Sequence, residues 1–446
     1  MGCKRRDVIA AAAGATLVAV AIALPRLNFE AFTPMTGGGG TADTAPIFGW
    51  WLPHAGWGTP AAVLIGVAAI GWGPIVARRL SWRSLTLTVW ATSALWAFSL
   101  SMIDGWQRGF AGRLTDPNEY LHQVPTVTDI GAAVRGFAGR ILDYQPDSWV
   151  THVSGHPPGA LLSFVWLDRI GLGGGAWAGL LCLLAGSSVA AAVIVTVRAV
   201  SGEATARLVA PFVTVAPTAI WIAVSADGYF AGVAAWGIAL LALAVRCTVR
   251  FPAAAAAASG LLLGWTVMLS YGLTLMALPA AAVLACASDW GSARRAVYVA
   301  LPAALTVVAV FAVAGFWWFD GYILVQQRYW QGIASDRPFS YWGWANLAAT
   351  VCAIGLGSVA GVARAFDGVA IRRRSGLHLL VLAALAAIVV ADLSMLSKAE
   401  TERIWLPFEV WLTAAGALLP VGSQRWWLSL NVIGALLLNH LVLTNW

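Results

Sequence analysis

Apolar runs of about 17–22 residues recur along the whole chain, each long enough to cross a hydrocarbon core of roughly 30 Å as a helix. The runs are continuously apolar and lack the alternation of an outer-membrane barrel strand, so helices are the spanning element. About thirteen such segments can be traced, at approximately 8–24, 60–77, 84–103, 176–197, 205–224, 228–246, 253–269, 271–288, 296–316, 343–363, 377–395, 404–421 and 427–444. With 60% hydrophobic residues and a mean hydropathy of +0.77, a soluble domain of this length could not hide its apolar surface. The expected fold class is an all-α polytopic membrane protein.

The net charge of +7 is not a nucleic-acid signature, because the basic residues cluster in short connectors. Lys4, Arg5 and Arg6, then Arg78, Arg79 and Arg83, Arg246 and Arg250, Arg294 and Arg295, and Arg372, Arg373 and Arg374 form the positive-inside pattern of cytoplasmic loops. One orientation satisfies all of them: N-terminus in the cytoplasm, and segments 25–58, 104–175 and 317–342 outside a plasma (inner) membrane. The first apolar segment, Val8 to Leu24, lacks a convincing small-residue cleavage site and reads as an uncleaved helix. The Gly37 to Gly40 run reads as a flexible linker. Residues 157–170 are too short for a span, and counting them as one would invert the later basic clusters. They are expected to form a re-entrant or interfacial helix on the outer side, with Pro157 and Pro158 in its first turn. The five cysteines do not pair in an outward loop, and Cys3 lacks the apolar signal region of a lipoprotein.

Polar chemistry concentrates in the outer loop. Asp104 stands where the third span meets water, and Asp116, Glu119, Tyr120 and His122 follow it. A carboxylate on a low-dielectric boundary acts as a general base if it reaches a substrate hydroxyl, whereas a lone loop acid is commonly just solvated or a helix cap. His152 and His156 are four apart, a metal-ligand spacing on a helix, but Gly155 and Pro157 oppose a regular helix through both. A divalent metal is thus allowed rather than required, and His156 is better suited to hydrogen-bonding a phosphate or an acid. Asp227 begins a span, where it either favours the helix N-terminus or faces the loop. Lys398, Glu400, Glu402 and Arg403 sit at an outer helix end. There Arg403 either grips a phosphate or pairs with Glu400 or Glu402. Most of the 25 tryptophans are expected in the interfacial belt, while Trp330, near Arg328 and Tyr329, is suited to stack on a sugar face.

Four elements together resemble the polytopic GT-C glycosyltransferases that use lipid-phosphate-linked sugars. They are the acidic outer loop with Asp116, Glu119 and Tyr120; the element His156, Pro157, Pro158, Gly159; the passage from Arg198 to an outer Asp227; and Glu402, Arg403, Ile404, Trp405, Leu406, Pro407. The likeness is one of layout across most of residues 84–420. It implies an extracytoplasmic catalytic loop with short interfacial helices and a polyprenyl-phosphate sugar donor. It also implies an extracytoplasmic glycan or lipid acceptor, and inversion at the anomeric carbon. By the same likeness a loop carboxylate, Asp104 or Glu119, is the base, and a late arginine, Arg403, meets the donor phosphate. Asp116, Tyr120, His152, His156, Asp227, Arg328, Lys398 and Glu402 are the further substrate-binding candidates. No cofactor is required, since phosphate is already a competent leaving group.

Two departures stand against the pattern. The acidic loop follows the third span rather than the first, so residues 1–83 read as added helices ahead of an 84–446 catalytic module. No separate soluble domain is expected. The Ala-, Arg- and Trp-rich, Lys-poor composition suggests an actinobacterium, and with it mannose or arabinose transfer in cell-wall biosynthesis. A rival reading is a polytopic transporter or lipid flippase, which calls for mid-membrane polar groups and broken helices. Glu409 and the Ser270-Tyr271-Gly272 break are its main support.

Overall fold

A computed structural model describes residues 5–27, 44–223 and 225–445. Cys3, Lys4 and the Gly37 to Gly40 linker lie outside the described residues. Seven helices are long and apolar enough to cross a membrane: Arg5–Leu27, Thr59–Arg79, Gly175–Ser201, Ala226–Val245, Pro252–Leu269, Trp290–Val313 and Gly376–Leu393. Two further pairs, Phe339–Ile354 with Leu356–Ala365 and Leu406–Leu418 with Val421–Leu441, are each bent by 109° and raise the number to nine if each is one span. The remaining expected segments are shorter, interrupted or more polar. Trp82–Ser101 is a full helix rich in Ser and Thr, and Tyr271–Ala285 begins as a 3-10 turn.

Local sequence accounts for the helix boundaries. The Ser81 hydroxyl accepts from the Ser84 amide and caps Trp82–Ser101, and Asp289 accepts from the Ser292 amide to cap Trp290–Val313. Proline opens Pro252–Leu269 and Pro158–Arg169, where its missing N–H costs nothing. The break at Gly355 has φ +79, and a Cβ there would lie 2.6 Å from Asn431 Oδ1. That same oxygen accepts from the Gly357 amide at 2.7 Å, so a neighbouring helix satisfies the new N-terminus inside the bundle.

Hydrogen bonds sort the connectors into two ends. At one end, Arg207 donates to the Ala77 and Leu80 carbonyls, the Leu377 amide to Ser201 Oγ, and Arg246 to the Cys286 carbonyl. Arg364 there makes two 2.7 Å bonds to the buried Asp7 carboxylate. At the other end the acidic loop meets residues 44–58, 318–337 and 394–405. The basic connectors and the acidic loop thus occupy opposite ends. The short Pro158–Arg169 helix lies at the acidic end, its Gly159 backed against the Met268 carbonyl so closely that a Cβ would sit 2.5 Å away.

The fold is not purely helical. Gly49–Trp51 pairs antiparallel with Val442–Thr444, Trp50 opposite Leu443. Trp50 and Trp51 read from sequence as belt residues. They also lie in this short strand pair, which ties residues 44–58 to the end of the Gln424–Leu441 helix.

Candidate active site

Two turns of the acidic loop are stitched together. The His152 amide donates to the Asn118 carbonyl at 3.0 Å, and His152 Nδ1 lies 3.0 Å from the same oxygen and 3.3 Å from Glu119 Oε1. A carbonyl only accepts, so Nδ1 carries the proton and Nε2 presents a lone pair. Arg403 Nη2 meets that lone pair at 3.3 Å. The Thr151–Ser154 helix stops at Gly155, so His152 and His156 do not share a regular helix. His156 Nδ1 instead lies 2.7 Å from the His152 carbonyl and 2.9 Å from the Tyr120 hydroxyl. Tyr120 stacks on Phe164 of the Pro158–Arg169 helix at 5.3 Å, which seats this part of the loop on the bundle. Burial pushes the Tyr120 hydroxyl well above its usual range, with Asp227 and Glu119 adding to it, and burial lowers the His156 imidazole.

Arg403 is the hub. Its Nη1 donates to Asp227 Oδ2 at 2.6 Å and its Nη2 to Glu400 Oε2 at 3.0 Å. Asp227 is placed by the first turn of Ala226–Val245, where Ser225 Oγ caps its amide and also donates to Oδ2. Glu400 sits in a left-handed conformation (φ 60) and also accepts from Arg337 Nη2 at 3.1 Å. Burial opposes the Arg403 charge, but Asp227, Glu400 and Glu119 outweigh it and raise the guanidinium above its usual value. Burial likewise opposes the Glu400 charge, and Arg337 and Arg403 overcome it and lower the carboxyl. Lys398 completes the group: Nζ donates to the Arg337 carbonyl at 2.7 Å and lies 4.6 Å from the Trp330 ring centroid. Burial and the neighbouring Arg337 lower the ammonium. Two guanidiniums, Arg337 and Arg403, therefore flank Glu400, and Lys398 is tied to Arg337.

The sequence candidates divide into three groups. Glu119, Tyr120, His152, His156, Asp227, Lys398 and Arg403 belong to this connected set. Arg328 borders it, donating from Nε to Ser154 Oγ at 3.2 Å and pairing with Asp143. Asp104, Asp116 and Glu402 do other things. Asp104 Oδ1 is bound by His54 Nε2 at 2.7 Å, and burial still raises its carboxyl. Arg113 feels the charges of both Asp104 and Glu119. Asp116 is exposed and closes a turn by accepting from the Asn118 amide and side chain. Glu402 turns away from Arg403 and accepts from the Phe48 amide at 2.9 Å. The Arg403 partners are thus Glu400 and Asp227, and Glu402 is not one of them. Sequence reasoning missed His54, Arg113 and Arg337, none of which has a spacing pattern to mark it.

Among the described residues no group of three His, Cys, Asp or Glu is set to hold a metal ion. His152 and Arg403 already lie against Glu119 and Asp227, the carboxylates such an ion would need. A cavity of about 470 Å³ lies at the opposite, basic end, lined by Ala244, Cys247, Ser292, Arg295 and Tyr298 among others, and does not coincide with this chemistry.

No family model matches the sequence, and no curated protein matches it. Among solved structures, the oligosaccharyltransferase of Archaeoglobus fulgidus in its apo form matches with a TM-score of 0.50 at 13% identity. The match covers 74% of this chain and 50% of that one. The bundle shares its fold. The chain spans half the length of the protein it matches. ArnT from Cupriavidus metallidurans in the apo state aligns at 18% identity over 76% of this chain and 59% of that one, with a TM-score of 0.46.

Proposed function

We propose that this chain is a multi-pass glycosyltransferase acting at its acidic, extracytoplasmic end, and that it moves a sugar from a polyprenyl-phosphate donor to a glycan or lipid acceptor. One observation carries the reading. Loop residues Glu119 and His152, helix residue Asp227 and late residues Glu400 and Arg403, far apart in sequence, form one chain of contacts. Such a constellation costs desolvation of several charges and is a mark of a functional site rather than of bulk stability.

In this reading the donor phosphate approaches from the membrane and is met by Arg337, Lys398 and Arg403, whose three charges exceed the two of their carboxylate partners, Glu400 and Asp227. Asp227 holds Arg403 in register. The acceptor hydroxyl comes from water and gives its proton to Glu119 as the sugar is displaced and phosphate leaves. Glu119 is favoured over Asp104 because it borders the arginine network, whereas Asp104 is bound by His54. Inversion follows from a single displacement. The sugar, mannose or arabinose, and the thirteen-pass arrangement with a cytoplasmic N-terminus belong to the same proposal.

Mass spectrometry of lipid co-purifying with the full chain tests the donor class: a polyprenyl-phosphate sugar is expected. With that donor, Glu119→Gln should reduce transfer at least 100-fold, on the order of a lost general base, while Asp104→Asn retains more activity. A fully active Glu119→Gln protein would overturn the base assignment, and the absence of any prenyl-phosphate lipid would count against the donor.

A further inference from the structure

Behind Arg403 a second pair of carboxylates runs into the bundle. Glu402, Trp405 and Glu409 recur at spacings of three and four along Thr401–Thr413, which puts them on one face of the chain. Thr350 and Cys352 approach from Phe339–Ile354. Glu402 is 1% exposed and Glu409 0%. Among the described residues, Glu402 Oε2, both oxygens of Glu409, the hydroxyls of Thr350 and Thr401, and Trp405 Nε1 make no hydrogen bond of ordinary geometry, although the Thr350 hydroxyl is near enough to Glu409 to act on it. Neither glutamate has an ion-pair partner among the described residues.

An ionised carboxylate stranded in this way costs several kcal/mol, and a buried group relieves that cost by taking up a proton. The leftover atoms are also complementary. The Thr350 hydroxyl lies by Glu409, and Thr401 and Trp405 add a hydroxyl and an indole donor on the segment that carries both glutamates, the inventory that a neutral acid and internal water satisfy. We propose that Glu402 and Glu409 form a proton-binding site within the bundle. Glu409 is held as the neutral acid, water bridges the remaining groups, and Glu402 takes and releases a second proton.

The surroundings give the site a readout. Glu402 bonds the Phe48 amide, feels the charges of Glu400 and Arg403 on its own segment, and lies in the field of Cys352 and Glu409. Glu409 faces Thr350, Cys352 and Glu402. Burial pushes the Glu402 carboxyl up to about 7, against the Phe48 amide, so its proton exchanges near neutrality. The Phe48 ring lies 5.6 Å from the Arg337 guanidinium, and Arg337 grips Glu400. Charge on Glu402 is therefore felt by the Arg337–Glu400–Arg403 cluster. The proposal rests on these polar atoms alone and stands apart from the transfer reading.

Infrared spectroscopy of the full chain in lipid nanodiscs tests it. At pH 8 a carbonyl stretch of a protonated carboxylic acid is expected, shifted in D₂O and lost in Glu409→Gln. A second such band should grow as pH falls through neutrality and vanish in Glu402→Gln. Melting of the wild-type chain should be the same in sodium and choline salts, a measurement that needs no variant. An unchanged spectrum in Glu409→Gln, or a melting temperature that rises with sodium, would overturn the proposal, the latter marking a cation site instead.

Discussion

Arg403→Met is the perturbation whose outcome the structure specifies most fully. The guanidinium is 5% exposed and bonds Asp227 at 2.6 Å and Glu400 at 3.0 Å, and Asp227 is itself 4% exposed. Charges about 4 Å apart attract by roughly 4 kcal/mol at an effective dielectric of about 20. Removing one partner of such a pair costs about 3–5 kcal/mol, because the survivor keeps its desolvation without its attraction. Arg403→Met strands Asp227 outright, and it leaves Glu400 with Arg337 alone. Asp227→Asn strands less, since Arg403 keeps Glu400, and about 1–3 kcal/mol is expected. The two changes share one contact, so the double variant should fall short of additivity by about 1–3 kcal/mol.

The assay is thermal unfolding followed by tryptophan fluorescence in one fixed detergent, with the 25 tryptophans as the signal. Melting temperatures should fall in the order wild type, Asp227→Asn, Arg403→Met. Asp227→Asn/Arg403→Met should melt no lower than Arg403→Met, because the second change removes the stranded charge. A double variant whose losses add, or an Arg403→Met protein that melts with the wild type, would refute the idea of one coupled buried network.

Two other outcomes follow from particular residues. The Glu402 carboxyl lies at about 7 instead of 4.5, so the folded state binds its proton more tightly than the unfolded chain. Its contribution, on the order of 3 kcal/mol, is fully present below pH 4.5 and is lost as pH rises through 7. Wild type should therefore melt lower at pH 8 than at pH 6, and Glu402→Gln should flatten that slope; an identical slope in the variant would exclude Glu402 as its source. Gly159→Ala brings a Cβ to 2.5 Å from the Met268 carbonyl, which backbone must move to admit. About 1–3 kcal/mol of destabilisation is expected, with transfer impaired through the displaced seat of Tyr120 and His156. Unchanged melting and activity would show that this contact is soft.

The membrane class and the division into a basic and an acidic end were legible because both depend on composition and loop charge, which act residue by residue. Helix breaks were harder. Gly355 lies inside a continuous apolar run, and the group that permits its bend is Asn431, some seventy residues away, as the 2.7 Å bond to the Gly357 amide shows. Pairing inside the site was illegible for the same reason. Nothing in the segment SKAETERIW says that Arg403 would choose Glu400 and Asp227 while Glu402 turns back to a Phe48 amide. Glu119 and His152 were visible as polar residues in an apolar chain, but that His152 joins the loop acid to the late arginine is a property of the folded state.

That link bears on how such a site keeps its charges. Glu119, Asp227 and Glu400 converge on Arg403, and Arg337 shares Glu400, so carboxylates and guanidiniums alternate through the buried set. Neutral His152 separates Glu119 from Arg403, donating at Nδ1 and accepting at Nε2. An incoming phosphate that drew Arg403 toward it would weaken the bond to His152 Nε2. His152 would then hold Glu119 without its tie to the guanidinium, and in the proposed transfer it is the residue that orients this base. His152→Gln, whose amide can reproduce only part of this bridge, should therefore lower kcat more than it raises the donor KM. The reverse, a donor KM that rises with kcat intact, would show that His152 serves binding alone.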